Sequence, residues 1–166
     1  MKRLILTRHA KSGWDNIELT DHERTLNDRG REACGLISEW LLVNQYMPEQ
    51  VFASTATRCR ETWERIGKVM KCDAPVSYKN NLYHCSPNII LQHLRNATFT
   101  TVLLTAHNPG IGEFAEKICA SPPKHQRFLG YPSASTTVVD FDINNWTDIT
   151  FGSGICRGFV IPSELK

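Results

Sequence analysis

Two hydrophobic periods alternate along this chain, and few architectures accommodate both. Residues 3–7 (Arg-Leu-Ile-Leu-Thr), 50–53 and 101–105 (Thr-Val-Leu-Leu-Thr) are short apolar runs carrying β-branched side chains. Such runs belong to strands buried in a sheet. Between them, apolar residues recur at spacings of one, three and four: Ala33, Leu36, Ile37, Trp40 and Leu41 in one segment, Cys59, Trp63, Ile66 and Met70 in the next. That period lays a stripe along one side of a helix. Strands alternating with helices predict an α/β domain, a sheet flanked by helices.

Local signals set the boundaries. Asn27 or Asp28 caps a helix ending near Val43, and a second helix spans 57–70. Pro75 opens a short edge strand over 75–78, where its missing N–H breaks no central ladder. Ser86 and Pro87 read as the N-cap and first residue of a helix over 88–95, and another helix covers 112–118. Two last strands, 136–141 and 146–151, are expected to join through a turn at 142–145. The stretch from Ala10 to Arg24 holds Gly13, Asp15, Asn16 and Asp21 without helical period, and reads as a long functional loop. No repeat or compositional break divides the 166 residues, so one domain, 1–166, is expected.

Composition narrows the function classes. Nineteen Lys and Arg against seventeen Asp and Glu give a formal net charge of +2, too even a balance for the long-range field of a nucleic-acid binder. No apolar run approaches the roughly 20 residues of a bilayer span. At the start, charge returns at Arg8 before a secretory core can form. These features lead us to expect a cytoplasmic protein with neither nucleic-acid nor membrane partners. Its six cysteines, Cys34, Cys59, Cys72, Cys85, Cys119 and Cys156, are then free thiols.

Chemistry concentrates at strand ends. His9 follows the first strand together with Arg8, His107 follows the run 101–105, and Arg58 stands just past the run 50–53. Ligands meet an open α/β sheet at the carboxyl ends of its strands, so the two histidines can share one crevice. A neutral imidazole can attack phosphorus while two guanidiniums hold the phosphoryl oxygens and a second imidazole donates to them. Ser12 is a further candidate for binding phosphate. Each residue alone has an ordinary reading, as a surface cation or a locally bonded imidazole; the weight lies in their joint placement. Trp14 either shapes an entrance beside His9 or is a simple exposed contact. The loop Lys124-His125-Gln126-Arg127 could guide an acidic partner, although ordinary surface solvation is the more economical reading. No Cys-x5-Arg loop, compact zinc-ligand spacing, His-Glu-x-x-His or Gly-x4-Gly-Lys-Ser/Thr motif is present, so neither metal nor cofactor is expected.

The set Arg8-His9, Arg58 and His107, in that order and strand context, resembles the histidine phosphatase superfamily. The flanking Thr7-Arg8-His9-Ala10-Lys11-Ser12-Gly13-Trp14, Leu26-Asn27-Asp28-Arg29-Gly30, the serine-led approach Ser54 to Thr62, and His107-Asn108-Pro109 resemble it too. The likeness runs from Met1 to about Phe151, and short length brings the chain nearest the small bacterial phosphohistidine phosphatase branch. What the resemblance implies is a metal-independent hydrolase that passes phosphate through His9, with Arg8, Arg58 and His107 around it. Its partner would be a phosphohistidine-bearing protein or a small phosphorylated substrate. A phosphomonoesterase acting on a metabolite or phosphoprotein is the nearest alternative, and a phosphate-dependent binding protein a more distant one.

Two positions depart from the family pattern. Ala10 stands where the usual motif has glycine, which matters if that position needs positive φ. Near Asn80-Asn81-Leu82-Tyr83 the larger family members carry an acidic proton donor, and Asn81 cannot serve as one. Asp15, Glu18 and Asp21 are the carboxyl groups of the first loop that could substitute. An alkoxide leaving group needs a positioned acid more than a phosphorylated imidazole does, since the imidazole can take a proton on its own ring. The departure therefore favours an N-phosphorylated substrate.

Overall fold

The computed structural model describes residues 1–166. Strands β1 (Lys2–Arg8), β2 (Gln50–Ser54), β3 (Val76–Lys79), β4 (Thr101–Ala106), β5 (Thr136–Phe141) and β6 (Ile155–Val160) form one sheet in the order β3-β2-β4-β1-β5-β6. β3, β2, β4 and β1 are mutually parallel, while β5 and β6 run antiparallel at one side. Helices α1 (Asp28–Val43), α2 (Thr57–Met70), α3 (Pro87–Arg95) and α4 (Gly110–Ile118) cover it. The domain is thus the α/β sheet flanked by helices that the alternating periods predict.

Strand alternation divides the core into two layers. Ile5, Val51, Leu103 and Val138 join the stripe of α1 and α2, namely Ile37, Leu41, Trp63, Ile66 and Met70. Leu4, Leu6, Val102, Leu104 and Val139 face the other way, onto Ile90, Leu94, Phe114 and Ile118 of α3 and α4. Successive strand residues point to opposite faces, so a run buried on both sides has no polar residue to spare. Trp63 is buried as its helical stripe requires, whereas Trp40 is half-buried and packs on Tyr46.

The predicted helices occur, with their ends set by local bonds. Asn27 caps α1, its side-chain oxygen accepting from Gly30 N at 2.9 Å. Gly30 is required there, because a Cβ would lie 2.1 Å from the Lys11 carbonyl oxygen. Pro87 begins α3 as expected, but the Ser86 hydroxyl makes no capping bond. α4 starts at Gly110, two residues earlier than the apolar pattern indicates. β3 pairs only with β2, the edge position that Pro75 predicts.

The final strand corrects the sequence reading. Residues 146–151 are not extended; Trp146–Asp148 form a 3-10 turn, and the strand lies at Ile155–Val160. Trp146 and Ile149 are both buried and three residues apart, and Ile149 N bonds to Trp146 O at 3.1 Å. That is the spacing of one 3-10 turn, which a short window does not distinguish from alternation. All six cysteines are free, and no helix is long and apolar enough to cross a membrane.

Candidate active site

Strand register brings the two histidines together. β1 and β4 pair in parallel with Thr7 opposite Thr105 and Arg8 opposite Ala106, so His9 and His107 are each the next residue after a paired end. His9 N donates to Ala106 O at 3.1 Å, and the imidazole centroids lie 5.1 Å apart. β2 ends beside them at Ser54, and three residues later, at Thr57, α2 begins and presents Arg58. Arg8, His9, Ser12, Arg58 and His107 all line one cavity of about 310 Å³, as does Trp14 at its exposed margin. The crevice at the strand ends therefore gathers the five residues expected to bind or transfer phosphate.

Hydrogen bonds define which nitrogen of each imidazole is available. His9 Nδ1 lies 2.8 Å from the Ala10 carbonyl oxygen, which can only accept, so Nδ1 carries the proton and Nε2 keeps its lone pair. His107 Nε2 lies 2.8 Å from the Ser54 hydroxyl and 3.4 Å from the Cys59 thiol, and as a neutral ring nitrogen it can accept from both. Its proton then resides on Nδ1, which is buried without a partner. Burial pushes both groups down, His9 to about 3 and His107 to about 2, with the charges of Arg8 and Arg58 adding to the effect at His9 and those of His9 and Arg58 at His107. Both imidazoles are neutral at neutral pH, one with a free lone pair and one with a free N–H.

Among the cations around them, Arg24 and Arg58 share the single carboxylate of Asp21, and Arg8 has none. Arg8 Nε is buried and unpartnered, and burial together with repulsion from Arg58 lowers its guanidinium from the ordinary value. Lys11 and Arg24 also line the cavity, whereas no Asp or Glu does. A tetrahedral dianion in the cavity relieves this repulsion. No group of three or more His, Cys, Asp or Glu side chains is placed to hold a metal ion.

Several contributors escape a linear reading. Arg24 is buried at the end of the first loop, where it donates to Ser12 Oγ at 2.6 Å, Gly13 O at 3.1 Å and Asp21 Oδ1 at 3.0 Å, beneath the Trp14 ring. Its position in a loop gives it no period to announce it. Ser12 thus spends one lone pair on Arg24 while still facing the cavity. Asp21 lies in a 3-10 turn, Asp21–Glu23, inside the expected loop. It accepts from Arg58 at Oδ2 (3.1 Å), and its carbonyl accepts from the same guanidinium at 2.6 Å. His84, Asn108 and Ser133 complete the lining. The tripeptide His107-Asn108-Pro109 signalled Asn108, but nothing in the sequence pattern signalled His84 or Ser133.

The two departures resolve differently. Ala10 lacks positive φ, and its N–H bonds to Thr62 Oγ1 at 3.0 Å, so a side chain is accommodated. Asn81 lies outside the cavity, its Oδ1 2.6 Å from His93 Nε2. Among the substitutes, Asp15 and Glu18 are exposed and do not line the cavity. A hydrogen bond from the Tyr83 hydroxyl, reinforced by Arg24 and Arg58, holds Asp21 far below the usual carboxylate range. An anion so stabilised has no proton to give at neutral pH.

Comparison with known proteins agrees with this geometry. The family model "Histidine phosphatase superfamily (branch 1)" matches residues 4–86. An uncharacterized protein of Mycobacterium leprae is 34% identical over 164 residues, covering 93% of this chain and 99% of its own. Phosphohistidine phosphatase SixA of Escherichia coli is 24% identical over 127 residues, 73% of this chain and 78% of its own. The structure of the protein histidine phosphatase SixA complexed with tungstate superposes with a TM-score of 0.79 at 21% identity, covering 99% of both chains. The chain belongs to branch 1 of the histidine phosphatase superfamily, and it is a phosphatase of that type.

Proposed function

We propose that this phosphatase removes phosphate from phosphohistidine on a protein, by way of a phosphoryl group carried on His9. His9 Nε2 attacks phosphorus, Arg8 and Arg58 hold the equatorial oxygens, and His107 Nδ1–H donates to them as their charge changes in the transition state. Ser12 and Arg24 bind together at the edge of the same anion. The relative crystallised with tungstate, a tetrahedral oxyanion, shares the fold and supports an oxyanion role for the pocket.

The observation that carries the choice of substrate is a cavity lined by four cations and no carboxyl group. A departing alkoxide is strongly basic and depends on a positioned acid, a contribution of about 10²–10⁴ in rate. A phosphorylated imidazole departs as a neutral ring once its distal nitrogen is protonated. A protein substrate is supported by a second groove of about 280 Å³, lined by Lys11, Arg29, Arg127 and Lys166 with Glu32. It shares Lys11 and Ser133 with the cavity, so an acidic segment flanking the phosphorylated residue has a complementary path.

The test compares kcat/KM for a phosphohistidine peptide and an alkyl phosphate monoester at one pH. A preference of about 10²-fold or more for the peptide is expected. His9→Ala should abolish both turnover and the labelled phosphoenzyme trapped by rapid quenching without acid. A preference for the alkyl ester would overturn the substrate assignment, and full activity in His9→Ala would overturn the mechanism.

A further inference from the structure

With Asn81 outside the cavity and Asp21 held as an anion, no carboxylic acid is placed to move protons during turnover. One titratable side chain other than the paired strand-end histidines and the cations does line the cavity: His84. Its ring centroid lies 5.9 Å from that of His107, which in turn lies 5.1 Å from that of His9. Neither nitrogen of His84 makes a hydrogen bond to protein, and its side chain is exposed to the opening of the cavity.

The backbone fixes this placement. His84 has φ of 55°, a left-handed conformation that a β-substituted residue rarely adopts without external restraint. On one side the Tyr83 ring packs against it at 4.0 Å between centroids, and the Tyr83 hydroxyl is tied to Asp21. On the other, Gly110 lets the start of α4 press against the Cys85 backbone, where a Cβ would lie 2.0 Å from the Cys85 oxygen. The loop is thus clamped between the Asp21 turn and the helix that follows His107. Asp21 Oδ2 stands 3.7 Å from His84 Nε2, within ion-pair reach when the ring is protonated.

From this geometry we infer that His84 is the proton carrier of the reaction, with Asp21 and Tyr83 as its positioning residues. The inference rests on His9 being the nucleophile. In the first half-reaction a P–N or P–O bond of the substrate breaks as the P–N bond to His9 forms, and protonated His84 gives up one proton, to the departing oxygen or nitrogen of an ester or phosphoramidate or, for a phosphorylated imidazole, to the distal ring nitrogen so that the ring departs neutral. In the second, water attacks the phosphorus of phospho-His9, neutral His84 takes the water's proton, and the P–N bond to His9 breaks. Phosphate leaves, and His9 and protonated His84 are restored. The same group serves as acid and then base, a role open to an imidazole because its ring nitrogen can both give and take a proton. The charged and titratable groups facing it are Asp21 from the 3-10 turn, Tyr83 from its own loop and His107 from the end of β4, with Arg58 beyond the Tyr83 ring.

The experiment uses His84→Asn, since asparagine tolerates left-handed backbone, and two substrates: an aryl phosphate whose leaving group needs no proton, and an alkyl phosphate or phosphoramidate that does. On the aryl phosphate the variant should form phospho-His9 in a normal burst of one equivalent per site, then turn over about 10²-fold more slowly because hydrolysis has lost its base. On the second substrate the burst itself should slow. On the aryl phosphate KM should fall together with kcat, leaving kcat/KM little changed because it reports phosphoryl transfer to His9, and the pH dependence of kcat in the wild type should flatten in the variant. Asp21→Asn should shift that pH dependence rather than remove it. Unchanged hydrolysis of phospho-His9 in a folded His84→Asn protein would overturn the inference, as would a loss expressed only in KM. Absence of any burst in the wild type would instead refute His9 as nucleophile.

Discussion

His9 and His107 follow two hydrogen-bonded strand ends, whereas Asp21, Arg24, Tyr83 and His84 stand on loops with no ladder beneath them. The first pair is buried, its tautomers set by Ala10 O, Ser54 and Cys59. The second group is held by side chains that bond one another, centred on Asp21, and it reaches into solvent at His84. The sheet supplies rigid placement for the two imidazoles, which the proposed mechanism brings to phosphorus. The loops supply a bonded cluster around Asp21 and, at His84, one ring that is open to solvent.

Arg58 joins the two walls, since α2 presents it beside the histidines while its guanidinium binds Asp21 twice. Arg58→Ala is therefore the sharpest way to break the distinction. We expect kcat/KM to fall about 10²–10³-fold, the range for losing one transition-state donor. Asp21 should become free to move, which a rise in hydrogen exchange across residues 20–24 would register. A fall confined to KM, with kcat intact, would place Arg58 in ground-state binding only.

The contrast in burial predicts a pH dependence of stability. Unfolded, both imidazoles titrate near 6.5; folded, His9 and His107 stay neutral down to about 3 and 2. Between those values the unfolded chain binds protons that the folded chain refuses. Stability should be greatest above pH 6.5 and fall as pH drops toward 3, by up to about 1.4 kcal/mol per pH unit for each histidine. Urea unfolding at pH 7 and pH 5 measures the fall, and His107→Asn should make it shallower. An identical slope in wild type and variant would show that His107 does not titrate as a buried neutral group.

The smallest expected effect belongs to Asn81. Because its side chain pairs with His93 outside the cavity, Asn81→Ala should change stability by about 0.5 kcal/mol or less. Asn81→Glu should leave the ratio of phosphohistidine to alkyl ester activity unchanged. A selective gain on the ester in Asn81→Glu would mean that this segment reaches the substrate, and would blur the boundary between the two walls.

What could be read from the linear chain was whatever a strand or a helix announces by period. Runs such as Leu4-Ile5-Leu6 and Val102-Leu103-Leu104 declared buried strands, and the residues just beyond them, Arg8-His9 and His107, were legible because strand ends are where such sheets bind ligands. Arg58 was legible by the same logic. The 3-10 turn at Trp146 was misread because two buried residues three apart fit more than one local conformation in a short window. Loops carry no period, so Arg24 and His84 were silent until the packed chain placed them.

The sequence alone therefore determined the α/β architecture, the family resemblance and the candidate residues Arg8, His9, Arg58 and His107, since these follow from hydrophobic period and from motifs attached to strand ends. Only the tertiary structure decided which polar groups complete the pocket. It set Asn81 outside, made Asp21 an anion by surrounding it with Tyr83, Arg24 and Arg58, and brought His84 to the cavity through the close approach of Gly110 to Cys85. The physical reason is that periodicity is a property of neighbours in the chain, whereas a proton's affinity and a loop's position depend on groups that meet only when distant segments pack.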